Sequence, residues 1–343
     1  MYRCTYPWTH FSLLPTRISP CCNLHIDHSA AIGTPADLLA AINAPDMVRL
    51  RQKLLDGETQ GTPCEHCRIA NTTLPASGPY ARARAALRNK MAVLDYIVPV
   101  LAFFSSYKCN LRCIMCCSKG NHFSDQQTIH VDYSQLFDSI TPNETALLVF
   151  CGGGEIFYTQ SGRDILTAIS RARHLDTVHK ELTTNGLLLH NHRDLLSTIR
   201  NIEYNISIDG AGQDYENIRR GARWDSVREN VDLLCDIAQT KPDITIKVSC
   251  LIMRSSLHSI LDLTAFCIKR ALRMHLSYVQ YEATEDLSAF TDDELGTLGR
   301  IISELQRLQP QHPTVLSKQT LDDIDAVLQT HLANRQNAGP CPR

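Results

Sequence analysis

The chain has 343 residues, enough for one large α/β domain with an appendage or for two medium domains, and enough to bury a core without disulfide staples. Lys plus Arg number 34 against 36 Asp plus Glu, a formal net charge of −2, so there is no basic excess of the kind that marks a nucleic-acid binder. The opening MYRCTYPWTHFSLLP lacks the continuous apolar core of a secretory leader, and no later run approaches the roughly 20 apolar residues that span a bilayer. The expectation is a cytoplasmic protein with neither a membrane nor a nucleic-acid partner.

Residues 1–75 read as an irregular, cysteine-rich module with one helical pattern, PADLLAAINAPDMVRLRQKLLDG, which Gly57 ends as a C-cap. TTLPASGPYARARA follows, placing a linker and helix over 76–96. From residue 97 the pattern changes to short apolar runs, each followed by a polar turn and a helix-like stretch. The runs are IVPVLAFFS (97–105), ALLVFCGGG (146–154), HKELTTNG (179–186), IEYNISIDG (202–210), ITIKVSCLIM (244–253) and MHLSYVQYEA (274–283). Between them GRDILTAISRARHL, WDSVRENVDLLCDIAQ and LHSILDLTAFCIKRAL predict helices. Six βα units in series predict an α/β fold with parallel strands, either an open sheet or a partial (β/α)6 TIM-like barrel, over 97–285. DDELGTLGRIISELQRLQ and LDDIDAVLQTHLA predict C-terminal helices over 286–343 that pack outside.

In such folds the chemistry gathers where the strands end. The polar punctuation falls there: a cysteine loop after the first strand, GGGE after the second, TTNG after the third and SIDG after the fourth. Of the 14 cysteines, four lie between Cys109 and Cys117 and five in the first 67 residues, a clustering that favours metal over cross-links. Cys109, Cys113 and Cys116 form C-x3-C-x2-C. Three thiolates leave an open ligand position, which suits a [4Fe-4S] cluster that binds something at its fourth iron; a zinc loop completed by Cys117 is the alternative. Cys4, the pair Cys21 and Cys22, and the C-x2-C of Cys64 and Cys67 supply a closed four-thiolate set, which spacing alone assigns equally to zinc or to a fully ligated cluster.

The loop CNLRCIMC resembles the cluster loop of the radical S-adenosylmethionine (SAM) superfamily, with Met115 where many members carry an aromatic residue. The resemblance runs over roughly residues 97–285. It implies a cluster held by Cys109, Cys113 and Cys116, whose free iron chelates SAM, and reductive cleavage of SAM to a 5'-deoxyadenosyl radical that abstracts hydrogen from substrate. CGGGEIF is similar to the family's GGE motif at Gly153, Gly154 and Glu155, which implies a role in holding the methionine moiety. SIDG resembles the motif that ends the fourth strand, which implies that Ser207 and Asp209 face a ribose; capping of the next helix is the structural alternative for Asp209. Asn185 in TTNG is divided between cofactor site and loop structure, and Arg219 or Arg220 in IRRGARWDSV between the SAM carboxylate and surface pairing.

The N-terminal cysteines resemble the SPASM and twitch modules of the same superfamily, through the proline before Cys21, the helix VRLRQKLLDG and CEHC. That implies an auxiliary [4Fe-4S] cluster on Cys4, Cys21, Cys64 and Cys67, with Cys22 the alternative to Cys21. Thr16 replaces the family's glycine, and the module precedes the barrel instead of following it. A fully ligated auxiliary cluster implies electron transfer and net oxidation of a small molecule or peptide, such as dehydrogenation or cross-linking, with flavodoxin or ferredoxin as electron donor.

Cys250, on the fifth strand, is the candidate hydrogen-atom donor for an alternative radical epimerase, although strand parity does not separate it from Ser249. Cys151 is equally ambiguous, Cys341 lies in a terminal GPCPR, and Cys235 and Cys267 read as helix packing. Tyr278, Gln280, Tyr281 and Glu282, where the sixth strand ends, are expected to shape an adenine or substrate pocket. A reading of another class is a non-catalytic metal-binding interaction protein on a degenerate barrel.

Overall fold

The computed structural model describes residues 4–21, 24–28, 30–60, 62, 64–65, 67, 74–116, 129–151, 153–280 and 282–337. Cys22, Cys117, Tyr281 and Cys341 lie outside the described residues. The chain forms two compact units, the first drawn from Met1–Lys108, Phe123–Thr183 and His192–Glu203, the second from Cys109–His122, Thr184–Asn191 and Tyr204–Arg343.

The first unit begins with a single helical turn, α1 (Tyr6–Thr9), and three strands, β1 (His10–Leu13), β2 (Arg17–Cys21) and β3 (Leu24–Asp27). These strands correct the expectation of an irregular N-terminus. They are four or five residues long, too short for alternation to register, and Pro20 argues against a strand. The structure accommodates Pro20 within a register shift of β2 against β3, between Ile18 and Cys21. The single expected helix is in fact two, α2 (Pro35–Ile42) and α3 (Pro45–Asp56). Pro45 has no N–H to continue a helix and opens a new one at its first position, while Thr34 and Asp37 close a capping box on α2. Gly57 is the expected left-handed C-cap, at φ 77°.

Helix α4 (Ala81–Arg88) leads to β4 (Val100–Phe104), followed by α5 (Tyr133–Asp138), β5 (Leu147–Cys151), α6 (Gln160–Arg171), β6 (His179–Thr184) and α7 (Arg193–Thr198). The strand order within this unit is β3-β2-β1-β4-β5-β6. Strand β1 runs parallel to β4, pairing His10 with Val100 and Leu13 with Phe103, so the N-terminal strands extend the sheet that the barrel strands begin. Phe103, Phe137 and Phe150 pack as a buried aromatic cluster beneath it.

Arg51 on α3 holds the N-terminal elements together. It is wholly buried and donates to the carbonyls of Pro7 (2.8 Å), Ile42 (2.6 Å) and Ala92 (2.8 Å) and to Asn43 Oδ1 (3.3 Å). Burial pulls its pKa down to about 10, against the opposing influence of Tyr96, which leaves it charged at neutral pH. The segment before β4 is bound in the same way: Trp8 Nε1 donates to Met91 O, Tyr96 Oη to Trp8 O, and Asn43 exchanges two hydrogen bonds with the Leu94 backbone.

The second unit holds most of β7 (Ile202–Ser207), then α8 (Gly212–Ile218), α9 (Trp224–Thr240), β8 (Ile244–Ile252), α10 (Ile260–Lys269) and β9 (Arg273–Tyr278), in strand order β7-β8-β9, and ends in α11 (Asp292–Leu308) and α12 (Lys318–Asn337). Strands β8 and β9 are parallel and in continuous register from Lys247 and Arg273 to Ile252 and Tyr278. All six strands expected from 97 onwards are present, as are the two C-terminal helices. No described helix is long and apolar enough to cross a membrane.

Arg51→Ala would strand three buried carbonyls, each costing about 1–3 kcal/mol without a donor. A loss of about 3 kcal/mol or more is expected in urea unfolding. Arg307→Ala, which removes a side chain that is 63% exposed, is expected to cost about 0.5 kcal/mol or less.

Candidate active site

The first unit fixes the approach to the cysteine loop. Leaving β4, the chain runs so close to the GGE segment that Gly154 N donates to Ser106 O (2.9 Å) and Glu155 N to Lys108 O (2.8 Å). A Cβ on Gly153 would fall on the Tyr107 ring, and one on Gly154 on the Lys108 carbonyl. The glycines are therefore required by the chain itself: the space a side chain would fill holds Tyr107 and Lys108. Glu155 is 2% exposed and its Oε1 accepts from Phe157 N (3.2 Å).

The cysteine loop belongs to the second unit and is clamped there by backbone. Arg112 N donates to Arg220 O (2.9 Å) and Ile114 N to Ile218 O (3.0 Å), a two-bond ladder against the residues that end α8. Ile114 and Met115 pack on a core cluster of Ile218, Met253 and Val279, giving Met115 the apolar setting expected of it. Gly221, at φ 96°, turns the chain just after the ladder in a conformation that other residues rarely adopt.

Cys113 lies at the centre of the loop's electrostatics. Burial raises its thiol to about 11; the nearby Arg219 opposes this, and Asp209, Cys109 and Cys116 reinforce it. The three thiols of C-x3-C-x2-C are thus close enough to sense one another's charge. Cys109 Sγ accepts from Leu111 N (3.4 Å) and makes a longer contact with Asn185 Nδ2 (3.8 Å), which also donates to Asn110 Oδ1 (2.8 Å). Asn185 Oδ1 accepts from Leu187 N (3.1 Å), so this 6%-exposed residue serves both its own turn and the cysteine loop. Asn110 had no signal in the sequence to single it out.

Asp209 is 1% exposed. Its Oδ1 accepts from Leu251 N (2.7 Å), and its Oδ2 forms an ion pair with Arg219 Nη2 at 2.6 Å. Arg219 Nη1 in turn contacts Cys113 Sγ at 3.9 Å. Burial works against the Arg219 charge, but Asp209 and Cys113 outweigh it and hold its pKa above the ordinary guanidinium range. Of the two arginines in IRRG, Arg219 is buried and faces the loop, whereas Arg220 is exposed. Among the described residues, Arg219 Nε and the Tyr215 hydroxyl are buried without hydrogen-bond partners. Ser207 is partly buried and shares the strand face of Asn205, which accepts from Ser249 Oγ (2.6 Å).

The parity of β8 is resolved. Cys250 lies on its fully buried face with Val248 and Ile252, within electrostatic range of Cys267 on α10, and burial raises its thiol well above the ordinary range; Ser249 lies on the opposite face. Cys267 is buried and Cys235 half-buried, in keeping with helix packing, while burial pushes the Cys151 thiol to about 12. Tyr278 Oη donates to Ile324 O (2.9 Å) and so anchors α12; Gln280 is exposed.

Of the four N-terminal thiols, all in the first unit, the other three lie within electrostatic range of Cys4. Burial is the main cause that raises Cys4 to about 11, and Cys21, Cys64 and Cys67 each raise it further. Cys67 N donates to Cys64 O (3.4 Å), which closes the C-x2-C turn. Among the described residues no three His, Cys, Asp or Glu side chains form a group that could hold a metal ion as they stand.

Residues 104–254 match the family model described as the radical SAM superfamily. No curated protein matches the chain. Among solved structures, Streptococcus suis SuiB bound to S-adenosylmethionine matches at 17% identity with a TM-score of 0.51, covering 67% of this chain and 52% of SuiB. A structure of anSMEcpe with bound AdoMet matches at 14% identity and a TM-score of 0.47, covering 64% of this chain and 62% of the other. The likeness to SuiB is one of fold: an α/β chain of the partial (β/α)6 TIM-like barrel type. The chain spans about half the length of SuiB.

Gly154→Ala is expected to lower the thermal midpoint by several degrees, because its methyl group must displace the Lys108 carbonyl. Gly299→Ala, in open space on α11, is expected to be neutral or to stabilise by up to about 1 kcal/mol. Equal melting of the Gly154 variant and wild type would show that the close approach is not required.

Proposed function

We propose that the chain is a radical SAM enzyme that abstracts hydrogen from a small molecule or peptide, with net oxidation of the substrate as the outcome. The observation that carries the reading is the C-x3-C-x2-C loop, clamped to the end of α8 with its three thiols gathered around Cys113 beside the buried pair of Arg219 and Asp209. The match of residues 104–254 to the radical SAM superfamily model supports an enzyme. The donor set fits an iron-sulfur cluster: three thiols and no fourth protein ligand among the described residues of the loop. A cube carries each thiolate on its own iron, so the ligands need not converge on one point as they do around zinc.

In this reading Cys109, Cys113 and Cys116 hold the cluster. When bound, the cluster and SAM supply one-electron cleavage of the sulfonium C–S bond and a 5'-deoxyadenosyl radical that takes hydrogen from the substrate. The protein residues position and shield. Glu155, with Gly153 and Gly154, orders the segment that leads into the loop, while Asn185 holds Asn110 and Cys109. Ile114 and Met115, packed on Ile218, Met253 and Val279, seat the loop between its cysteines on the apolar core. Ser207 lies on the polar strand face, where a ribose hydroxyl would be met.

Cys4, Cys21, Cys64 and Cys67 are proposed to hold an auxiliary [4Fe-4S] cluster that accepts an electron from the substrate radical, with a flavodoxin- or ferredoxin-type donor serving the loop cluster. The mutual effect of these four thiols supports that reading. Burial raises the Cys4 and Cys64 thiols, so loading them with metal releases protons and affinity rises with pH.

Anaerobic reconstitution is expected to give about eight irons per chain, falling to about four in Cys64→Ala/Cys67→Ala, by the stoichiometry of two four-iron clusters. Zinc retained in place of four of those irons would make the N-terminal site structural. Reduction in the presence of SAM is expected to release 5'-deoxyadenosine, and Cys113→Ala to abolish it. A wild-type protein that binds iron but releases none would point to the non-catalytic reading, and solvent deuterium in the product to epimerisation.

A further inference from the structure

The contacts of Arg219 face two ways. Nη2 lies 2.6 Å from Asp209 Oδ2, and Nη1 lies 3.9 Å from Cys113 Sγ. The side chains of Arg219 and Asp209 are 9% and 1% exposed, so little water screens either charge. Asp209 is held from behind by the Leu251 amide (2.7 Å), which fixes the carboxylate and through it the guanidinium. Among the described residues Arg219 Nε and the Tyr215 hydroxyl find no hydrogen-bond partner, and the ion pair with Asp209 holds the guanidinium. The cation therefore touches the central thiol of the loop, with the anion one step further back.

We propose that Arg219 and Asp209 are a positioning pair that sets the reduction potential of the cluster held through Cys113, Arg219 raising it and Asp209 lowering it. The inference rests on the assignment of Cys113 as a cluster ligand. One-electron reduction by an added reductant such as dithionite takes a [4Fe-4S] centre from its 2+ to its 1+ state and adds negative charge to the cube and its thiolates. Charge and hydrogen bonding at the sulfurs tune that equilibrium. A guanidinium against the thiolate favours the reduced state, and a buried carboxylate opposes it. Neither residue needs to touch substrate to act in this way, and the two act in opposite directions although they form one ion pair.

That opposition separates electrostatic tuning from a merely structural role, in which loss of either partner would disturb the loop alike. The experiment is a redox titration of the reconstituted protein without SAM, followed by the paramagnetic signal of the reduced cluster. Wild type, Arg219→Gln, Asp209→Asn and the double variant are compared, and any auxiliary-cluster signal serves as an internal standard. Arg219→Gln is expected to lower the midpoint of the loop cluster, Asp209→Asn to raise it, and the double variant to return close to wild type. If Arg219→Gln does not fold, Arg219→Lys replaces it and is expected to lower the midpoint by less. Single variants that shift the midpoint in the same direction, or leave it within replicate scatter, would overturn the proposal while leaving the cluster assignment intact. Retention of the same loop-cluster signal in Cys113→Ala, or its absence from wild type, would overturn the assignment itself and the inference with it.

Discussion

A cation can be buried only where the chain surrounds it with acceptors, and three of the described residues meet that constraint. Arg51 collects four acceptors from α1, the end of α2 and the segment before β4. Lys180, 1% exposed on β6, donates to the carbonyls of Leu175, Val178 and Arg200. Arg219 meets Asp209 and Cys113. The first two gather backbone carbonyls from separate segments, and so fix where those segments meet. The third differs in kind, because its acceptors are a carboxylate and a thiol. The scaffold solution to an irregular backbone and the arrangement at the candidate site thus draw on the same physical requirement.

The cysteine loop shows what that rigidity accomplishes. A loop that offers thiols to a cofactor must hold them without filling the space between them. Here the holding is done by elements on the loop's flanks: the ladder to Ile218 and Arg220, the apolar seat of Ile114 and Met115, and the contact of Asn185 with Asn110. In the first unit, Gly153 and Gly154 admit the segment that enters the loop. The thiols themselves make few strong contacts, and burial keeps Cys113 protonated at neutral pH. The loop is shaped in advance by residues that carry no cofactor chemistry of their own.

Most of the strand and helix plan was legible in the sequence because the six barrel strands are apolar runs bounded by polar turns, a pattern that survives without tertiary information. The N-terminal strands were not legible, since four or five residues give too few alternations and Pro20 points the wrong way. The division into α2 and α3 could have been read from Pro45, whose ring ends one helix and starts another. At the site, the structure adds packing that the motifs do not encode. GGE was read as holding the methionine moiety, and Tyr107 and Lys108 pack against its glycines. Asp209 was read as facing a ribose or capping the next helix, and it is buried against Arg219. Which of Cys250 and Ser249 faces the helices depends on packing across the strand, and no local pattern encodes it.

The parallel pairing of β1 with β4 also changes how the sheet ends. A partial barrel leaves a row of unpaired amides along its first strand, a template for another chain's strand. Here the protein's own N-terminus occupies that row from His10 to Leu13, and the boundary moves outward to β3. Strand β3 is four residues long, faces a neighbour whose register slips, and carries Asp27 paired with Arg17 at its end. A short, irregular, charged border is a poor template, so the N-terminal strands protect the barrel against edge-to-edge self-association.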